Sequence, residues 1–253
     1  MSEPLIELRG LKKSFGDHVV LAGVDLAIAP NGLTVVIGKS GGGKSVLLKH
    51  IIGLVTPDAG DVYFEGKGLT TMGRAERRAL KSGMSYMFQG MALFDSLNVF
   101  DNIALPLRER FRLKESEVRS RVSRKLEELE LSDASGAFVS QISGGMRKRV
   151  ALARALVTEP RIMLFDEPTT GLDPLRKRAV FALVDESRKR FGFTAVMVSH
   201  DIPEVFSIAD NVALLDEGRI VFFGTSQEAR ETDHPLMRAF MGEPGSAAYV
   251  PES

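Results

Sequence analysis

The chain lacks cysteine, an excess of charge of either sign, and any long apolar run. None of its 253 residues is cysteine, which excludes disulfides and thiolate metal sites. Basic and acidic residues both number 33, so no net positive charge marks a nucleic-acid-binding protein. No apolar run approaches the roughly 18 residues that a spanning helix needs, and no secretory signal is visible at the N-terminus. A role at a membrane would therefore require another chain as the anchor.

A glycine-rich loop is the most informative segment that is present. A β-branched run, 33–37, precedes it, and a helix with one apolar face, 45–52, follows it. This arrangement aims backbone N–H groups and a helix N-terminus at a phosphate. We expect Lys44 to reach the β- and γ-phosphates and Ser45 to hold Mg²⁺, with a flexible loop as the structural alternative. The phosphate-loop pattern G-x-x-x-x-G-K-[ST] is matched at each fixed position by Gly38, Lys39, Ser40, Gly41, Gly42, Gly43, Lys44 and Ser45.

Two acidic residues end a second buried strand. The run 162–165 is wholly apolar and is followed by Asp166 and Glu167. A carboxylate at the end of a strand beside a phosphate loop is where Mg²⁺ is held, so we expect Asp166 to bind the metal. Glu167 is then placed to polarise the attacking water. Two solvated acids at a strand end are the structural alternative.

A second anion-binding helix start follows Ile142. Ser143 is a natural N-cap, and Ser143, Gly144 and Gly145 open a strongly helical segment that runs to about Val157. The chain thus has two phosphate-binding helix starts and one phosphate loop. A head-to-tail homodimer, with each loop facing the Ser-Gly-Gly start of the other copy, explains both. A plain N-cap with flexible glycines is the alternative.

The pattern of apolar residues predicts an α/β fold. Antiparallel strands are expected over 5–11 and 19–28, with a turn at Gly16–Asp17, and a further strand over 61–64. The runs 162–165 and 195–198 are typical of strands in a parallel sheet, joined by a crossover helix over 175–191. Before these two runs, 91–157 is expected to be helical, with an apolar face at Val118, Val122, Leu126 and Leu129. The pairs Glu115/Arg119 and Glu117/Arg121 lie on its exposed side.

Three further residues have both a functional and a structural interpretation. His200 follows the strand 196–199, where a lone histidine is commonly a satisfied core or cap residue. Gln89 ends the strand 84–88 and could equally be a surface amide. Phe15 lies at the first turn, where it could stack on a base or pack on the strand.

Taken together, these residues resemble the ATP-binding-cassette (ABC) ATPase family in order along most of the chain. The resemblance implies ATP and Mg²⁺ as cofactors. It implies that Glu167 is the catalytic base, that His200 contacts the γ-phosphate, and that Gln89 senses Mg²⁺ and the attacking water. It further implies ATP contacts from Phe15 and from the loop through Val46, metal contacts from Ser45, Gln89 and Asp166, and contacts across the dimer from Ser143, Gly144, Gly145 and Asp173.

The resemblance also implies an architecture. We expect a P-loop NTPase core with an antiparallel β subdomain, formed by residues 1–90 and 158–241. A helical signature subdomain, 91–157, is inserted into it, and residues 242–253 form a tail. Without a coiled-coil insertion or a second cassette, the chain is similar to the ATPase subunit of a transporter, and no nucleic-acid partner is expected.

Details of three segments, 43–54, 87–104 and 142–146, resemble the Mla/MCE lipid-transport ATPases. This implies phospholipid or other lipid as cargo, an integral-membrane permease, a membrane-anchored MCE protein and, in some systems, a small STAS-domain protein. It implies a location on the cytoplasmic face of the inner membrane, through the permease. In some members a C-terminal segment reaches the other ATPase, as 235–253 could here. An ATPase subunit for another cargo, such as amino acids or metal complexes, and a non-transport switch protein remain the alternatives.

Overall fold

The computed structural model describes residues 3–87 and 92–242. The strands are β1 (Ile6–Phe15), β2 (His18–Ile28), β3 (Leu33–Ile37), β4 (Ala59–Phe64), β5 (Lys67–Gly68), β6 (Met84–Met87), β7 (Ile162–Asp166), β8 (Thr194–Val198), β9 (Asn211–Asp216) and β10 (Arg219–Thr225). The helices are α1 (Lys44–Ile51), α2 (Arg74–Ser82), α3 (Val99–Glu109), α4 (Glu115–Glu128), α5 (Gly144–Leu156), α6 (Pro174–Phe191), α7 (Ser226–Glu231) and α8 (Pro235–Met241).

A six-stranded sheet in the order β10-β9-β3-β8-β7-β6 forms the centre of the fold. All neighbours pair in parallel except β10, which is antiparallel to β9. Side chains of β3 alternate between two apolar layers, with Val35 in one and Val36 in the other. Strands covered on both faces have continuous apolar sequences, which is why β3, β7 and β8 were predictable. Their carboxyl ends meet at one edge of the sheet, where a ligand site is expected.

A second sheet, in the order β2-β1-β4-β5, is antiparallel. The predicted strands and the turn at Gly16–Asp17 are confirmed, although β1 extends four residues further, to Phe15, than the sequence pattern indicated. The same strand pair carries Val20 against the glycine-rich loop. The antiparallel sheet is therefore packed directly on the loop that follows β3.

The helices between β6 and β7 pack around an apolar cluster of their own. Val118, Val122, Leu126 and Leu129 are all buried in it, as their spacing predicted. Both predicted ion pairs form on the outer face of α4, with Glu115–Arg119 at 3.8 Å and Glu117–Arg121 at 2.7 Å. The division at residues 91 and 157 stays a prediction, because one cluster of packed helices does not fix a domain boundary.

Two features differ from the sequence-based expectation, and one predicted residue is not described. Helix α2 was not predicted, and none of its residues is buried, so it has no apolar stripe to reveal it. The segment from Pro235 does not begin a free tail, because 235–241 forms α8 and Met237 is buried in the core. Gln89 lies outside the described residues. Over the described ranges, no helix combines the length and the apolar content needed to cross a bilayer.

Candidate functional site

The glycine-rich loop between β3 and α1 can be built only from glycine at two positions. Gly38 has φ of 152°, and a Cβ there would lie 2.2 Å from the carbonyl oxygen of Leu215. Gly43 has φ of 93°, and its Cβ would lie 2.9 Å from Val20 Cγ1 and 3.0 Å from the Val20 carbonyl oxygen. Neighbouring strands thus crowd the loop so closely that any side chain would push it open. Gly43 also forms the N-cap of α1 without a capping side chain, which leaves the helix N-terminus available to an anion.

Lys44 is folded back into this loop. Its side chain is buried, and Nζ donates hydrogen bonds to the carbonyl oxygens of Gly38, at 2.9 Å, and Lys39, at 2.8 Å. Burial lowers the pKa of the Lys44 ammonium, and the nearby carboxylates of Glu167 and Asp166 oppose that shift. A buried cation with carbonyl partners but no bonded anion is suited to receive a phosphate.

The first residue of α1 after Lys44 contacts the end of β7. Ser45 Oγ donates a hydrogen bond of 2.7 Å to Asp166 Oδ1. Because the serine hydroxyl donates its hydrogen bond to the carboxylate, the lone pairs of Ser45 Oγ are left for a cation. Mg²⁺ is commonly held by one or two protein oxygens together with phosphate oxygens and water, so Ser45 and Asp166 fit the ion. The structure thereby brings together two of the three predicted metal residues.

Tyr86 also contacts Asp166, and sequence reasoning missed it. The Tyr86 hydroxyl donates a hydrogen bond of 2.7 Å to Asp166 Oδ2 from the neighbouring strand β6. Burial, and then the hydrogen bond to Asp166, raise the pKa of the Tyr86 phenol above its usual range. The two residues are 80 positions apart, so only the pairing of β6 with β7 could have revealed the contact.

Glu167 and His200 lie together just beyond the ends of β7 and β8. Glu167 has a left-handed backbone, with φ of 49°, and its N–H donates to the Val198 carbonyl oxygen at 3.0 Å. Its Oε2 accepts a hydrogen bond of 3.0 Å from Thr170 Oγ1 and lies 3.5 Å from His200 Nδ1. The contact with His200 lowers the pKa of Glu167, and the same contact raises the pKa of His200. At neutral pH Glu167 is thus a fixed anion beside the loop.

A buried carboxylate anchors the backbone next to His200. Asp201 accepts hydrogen bonds from the hydroxyl of Thr169 and from the ammonium of Lys177, and its N–H donates to Ser199 Oγ at 3.1 Å. The network joins the end of β8 to the segment after β7 and to α6. Sequence reasoning missed it, since Asp201 differs from any surface acid only through partners distant in sequence.

Two of the residues that are predicted to act across the dimer interface are helix N-caps. Ser143 is the N-cap of α5 and accepts from the Met146 N–H at 3.2 Å, and Asp173 is the N-cap of α6 and accepts from the Arg176 N–H at 3.0 Å. Both residues, and Gly145, are exposed. The first N–H groups of a helix have no partner within it, so the start of α5, with Gly144 half-buried, presents donors outward.

Phe15 lies at the end of β1 and is not buried. Its ring is 51% exposed at the end of β1, and Lys13 Nζ lies 5.4 Å from the ring centroid. Val46, the third residue of α1, is half-buried against the core. An exposed aromatic side chain on the sheet that touches the loop can stack on a planar ring.

The chain is similar to known proteins along most of its length. A family model described as ABC transporter matches residues 21–170. The chain is 38% identical over 237 residues to the intermembrane phospholipid transport system ATP-binding protein MlaF of Escherichia coli K12, an alignment that covers 94% of this chain and 88% of the relative. It is 39% identical over 236 residues to the "Probable ribonucleotide transport ATP-binding protein mkl" of Mycobacterium tuberculosis H37Rv, covering 93% of this chain and 66% of that protein.

Two solved structures share the fold. One is cbiO1 from Clostridium perfringens, part of the ABC transporter complex cbiONQ, with a TM-score of 0.83, 28% identity and coverage of 96% of this chain and 97% of that chain. The other is the ATP-binding cassette MJ0796 as a dimer in a post-hydrolysis state bound to ADP and Pi, with a TM-score of 0.73, 28% identity and coverage of 87% and 98%. The family resemblance and the α/β fold predicted from the sequence are thereby confirmed. The chain belongs to the ABC transporter family, as an ATP-hydrolysing subunit of a transporter.

Proposed function

We propose that this chain powers the movement of phospholipid or a related lipid between membranes. The observation that carries the proposal is the near-full-length similarity to MlaF, whose name states intermembrane phospholipid transport. The similar identity to mkl, named for ribonucleotide transport, favours a second candidate in which the cargo is a phosphorylated metabolite. Both cargoes leave the ATPase chemistry of the chain unchanged.

The chemistry divides among residues at the ends of β3, β7 and β8. Lys44 and the loop bind the phosphates, and Ser45, Asp166 and Gln89 hold the metal. Mg²⁺, when bound, neutralises charge on the phosphate oxygens during transfer. Glu167 orients the attacking water and takes its proton. Nδ1 of His200 faces Glu167 Oε2 at 3.5 Å, and His200 contributes a contact to the γ-phosphate.

Part of the site comes from a second copy of the chain. The exposed donors at the start of α5, Ser143, Gly144 and Gly145, are placed to meet the γ-phosphate bound by the partner, and Asp173 lines the same interface. Helix N-termini favour anions, so ATP joins two surfaces that each carry half of the binding groups. The dimeric solved relative bound to ADP and Pi supports this arrangement.

A permease is the expected anchor, because an ABC transporter's ATPase works on a membrane-embedded partner. Leu97 and Phe100 lie at the start of α3, in the segment whose sequence suggested a docking role. Beside α2, a cavity of about 480 Å³ has no acidic side chain among the described residues that line it, which favours a partner segment with acidic side chains. The cavity is lined by Ile52, Leu54, Arg74, Arg77, Arg78, Lys81 and Arg110.

Further partners follow from the lipid role. A membrane-anchored MCE protein would carry the lipid, and a small STAS-domain protein could bind the ATPase. The complex would sit at the cytoplasmic face of the inner membrane. These partners are specific to the lipid hypothesis and would be absent from a transporter of another cargo.

The experiment that tests the cargo is reconstitution of the ATPase with its permease in proteoliposomes. We expect ATP to drive transfer of a fluorescent phospholipid to acceptor vesicles, and expect the Glu167→Gln variant to abolish it. Stimulation of hydrolysis by a ribonucleotide, with no lipid transfer, would favour the second candidate instead.

A further inference from the structure

The carboxylate of Asp166 is held at both oxygens. Ser45 donates to Oδ1 and Tyr86 to Oδ2, each at 2.7 Å. Ser45 belongs to the phosphate loop and is already part of the proposed metal site. Tyr86 lies outside that loop, on the edge strand β6, and no step of the proposed chemistry uses it.

Strand pairing explains why the tyrosine reaches this carboxylate. Tyr86 is the partner of Leu164 in the parallel pair of β6 and β7, and paired residues point to the same face of a sheet. Asp166 lies two residues after Leu164, so its side chain returns to that face. The Tyr86 ring packs beside the buried cluster that contains Leu164, which leaves its hydroxyl at the rim, next to Asp166. The contact is therefore built into the sheet.

We propose that Tyr86 is a positioning residue that fixes the plane of the Asp166 carboxylate for Mg²⁺. The proposal rests on the nucleotide-Mg²⁺ site described above and adds a residue to it. Mg²⁺ demands near-ideal octahedral geometry, so a carboxylate that rotates freely is a poor partner for it. The Tyr86 hydroxyl, which donates to Oδ2, restrains that rotation and does not involve Oδ1, the oxygen that accepts from Ser45.

Hydrogen-bond partners of metal-binding side chains typically change metal affinity by about 10- to 100-fold when they are removed. Tyr86→Phe removes one oxygen and keeps the ring that packs against the core. We expect the Mg²⁺ concentration needed for half-maximal tightening of nucleotide binding to rise about tenfold in this variant. Nucleotide affinity in EDTA should stay within about twofold of the original, because the phosphate loop itself is untouched.

The measurement uses the full-length protein and a fluorescent ADP, titrated at fixed protein concentration with Mg²⁺ or with EDTA. Tyr63→Phe is the matched control, since Tyr63 lies in β4 with its ring under the Arg9 guanidinium, on the other sheet. That variant should retain the original Mg²⁺ midpoint. Thermal unfolding without ligand establishes that both variants are folded.

A second readout is measured on the wild-type protein and uses the Tyr86→Phe variant only to assign a resonance. The chain has three tyrosines, so incorporation of 3-fluorotyrosine gives few ¹⁹F resonances, and the Tyr86 line is the one that disappears in Tyr86→Phe. We expect this line to shift when Mg²⁺ is added to the ADP complex.

The outcomes separate this proposal from the proposed function. An unchanged or lower Mg²⁺ midpoint in Tyr86→Phe overturns the role of Tyr86 and leaves the metal site intact. The same conclusion follows if the Tyr86 ¹⁹F line does not shift with Mg²⁺ while the wild-type nucleotide affinity does respond to Mg²⁺. Wild-type nucleotide affinity that is itself insensitive to Mg²⁺ overturns the proposed metal site, and the role of Tyr86 with it.

Discussion

Glu167 occupies a backbone conformation that costs free energy for any residue with a side chain. A φ of 49° outside glycine is a strained state, which persists only where surrounding contacts hold it. Here the N–H bond to Val198 and the acceptor bond from Thr170 provide those contacts. The strain turns the carboxylate away from the line of β7 and towards His200, and Asp166 keeps its direction. Adjacent acids thereby acquire different partners and different roles.

The first prediction concerns this carboxylate. Glu167→Gln keeps the shape of the side chain and the Thr170 contact but removes the base. We expect ATP hydrolysis to fall at least about a hundredfold, as loss of a general base typically causes, with ATP affinity retained. Phosphate release assays measure the first effect, and light scattering after gel filtration should find an ATP-dependent dimer.

Glu127→Gln, on the exposed face of α4, is the matched control and should hydrolyse ATP normally. A rate for Glu167→Gln close to that of the control would assign the base to another residue.

The second prediction concerns the pH dependence of stability. The hydrogen-bond contact between Glu167 and His200 lowers the pKa of Glu167 from its ordinary value of 4.5 and raises the pKa of His200 from its ordinary value of 6.5. A histidine with a raised folded-state pKa stabilises the fold below its unfolded value and loses that contribution as pH rises through the folded value. A glutamate with a lowered pKa stabilises above its unfolded value and loses that contribution as pH falls. The pair therefore stabilises most between pH 4.5 and 6.5.

The size of this effect is limited by solvent, because 48% of the His200 side chain is exposed. We expect about 0.5 kcal/mol of the unfolding free energy to be lost between about pH 6 and about pH 8.5, and His200→Ala to lose less over the same interval. Urea unfolding at the two pH values measures it. His18→Ala, at an exposed position at the first turn, should retain the wild-type difference, and an equal pH slope in all three proteins would contradict the prediction.

At the scale of elements, sequence and structure agree where burial is continuous or periodic. The strands β3, β7 and β8 were predictable because both faces are covered, and α4 because its apolar residues recur at helical spacing. Helix α2 was not predictable, since it is a surface helix without a buried side. The phosphate loop and the pair Asp166 and Glu167 were found because their chemistry is local in sequence. Tyr86 and Asp201 were missed because strand pairing alone brings their partners close.

The turn before α3 shows how one polar side chain can fix an element. Asn102 is fully buried in the helix, and its Oδ1 accepts from the Phe94 N–H at 2.9 Å. Its Nδ2 donates to the carbonyl oxygens of Phe94, Leu97 and Asn98 at 3.0–3.1 Å. The segment that carries Leu97 is thus shaped by α3 itself.

The third prediction follows from these four bonds. Asn102→Ala removes the side-chain partner of the Phe94 N–H and of the Leu97 carbonyl oxygen, both part-buried, so we expect a loss of about 2 kcal/mol in unfolding free energy, measured by urea denaturation. Asn98→Ala removes only the N-cap of α3, whose Oδ1 accepts from the Asp101 N–H at 2.7 Å, and should cost about 1 kcal/mol. Equal losses in the two variants would show that the internal amide adds nothing beyond a cap.

At the scale of the whole molecule, the proposed dimer divides each ATP site between two chains, and mixing variants can test this division. Ser143→Arg damages the half given to the partner, and Lys44→Ala damages the half kept by the chain. Each variant alone should be nearly inactive, and Ser143→Arg should still bind nucleotide with its own loop.

The fourth prediction is that an equimolar mixture recovers activity. Random pairing makes half of the dimers mixed, and each mixed dimer has one of its two sites built from undamaged halves, so about a quarter of the wild-type rate is expected. Phosphate release at saturating ATP measures it. A mixture no more active than the separate variants would contradict independent sites shared between two chains.

The contact between Val20 and Gly43 has a consequence for how the molecule distinguishes its ligands. If Phe15 stacks on the base as proposed, this contact fixes the distance from the base to the phosphate loop, because the sheet that carries the aromatic ring packs against the loop. A fixed distance of that kind recognises the part of the ligand that ATP and ADP have in common. It therefore does not distinguish ATP from ADP. In the proposed function that distinction is made by Glu167 and His200, which follow β7 and β8. The part of the ligand common to ATP and ADP and the γ-phosphate would then be recognised by different elements of the fold.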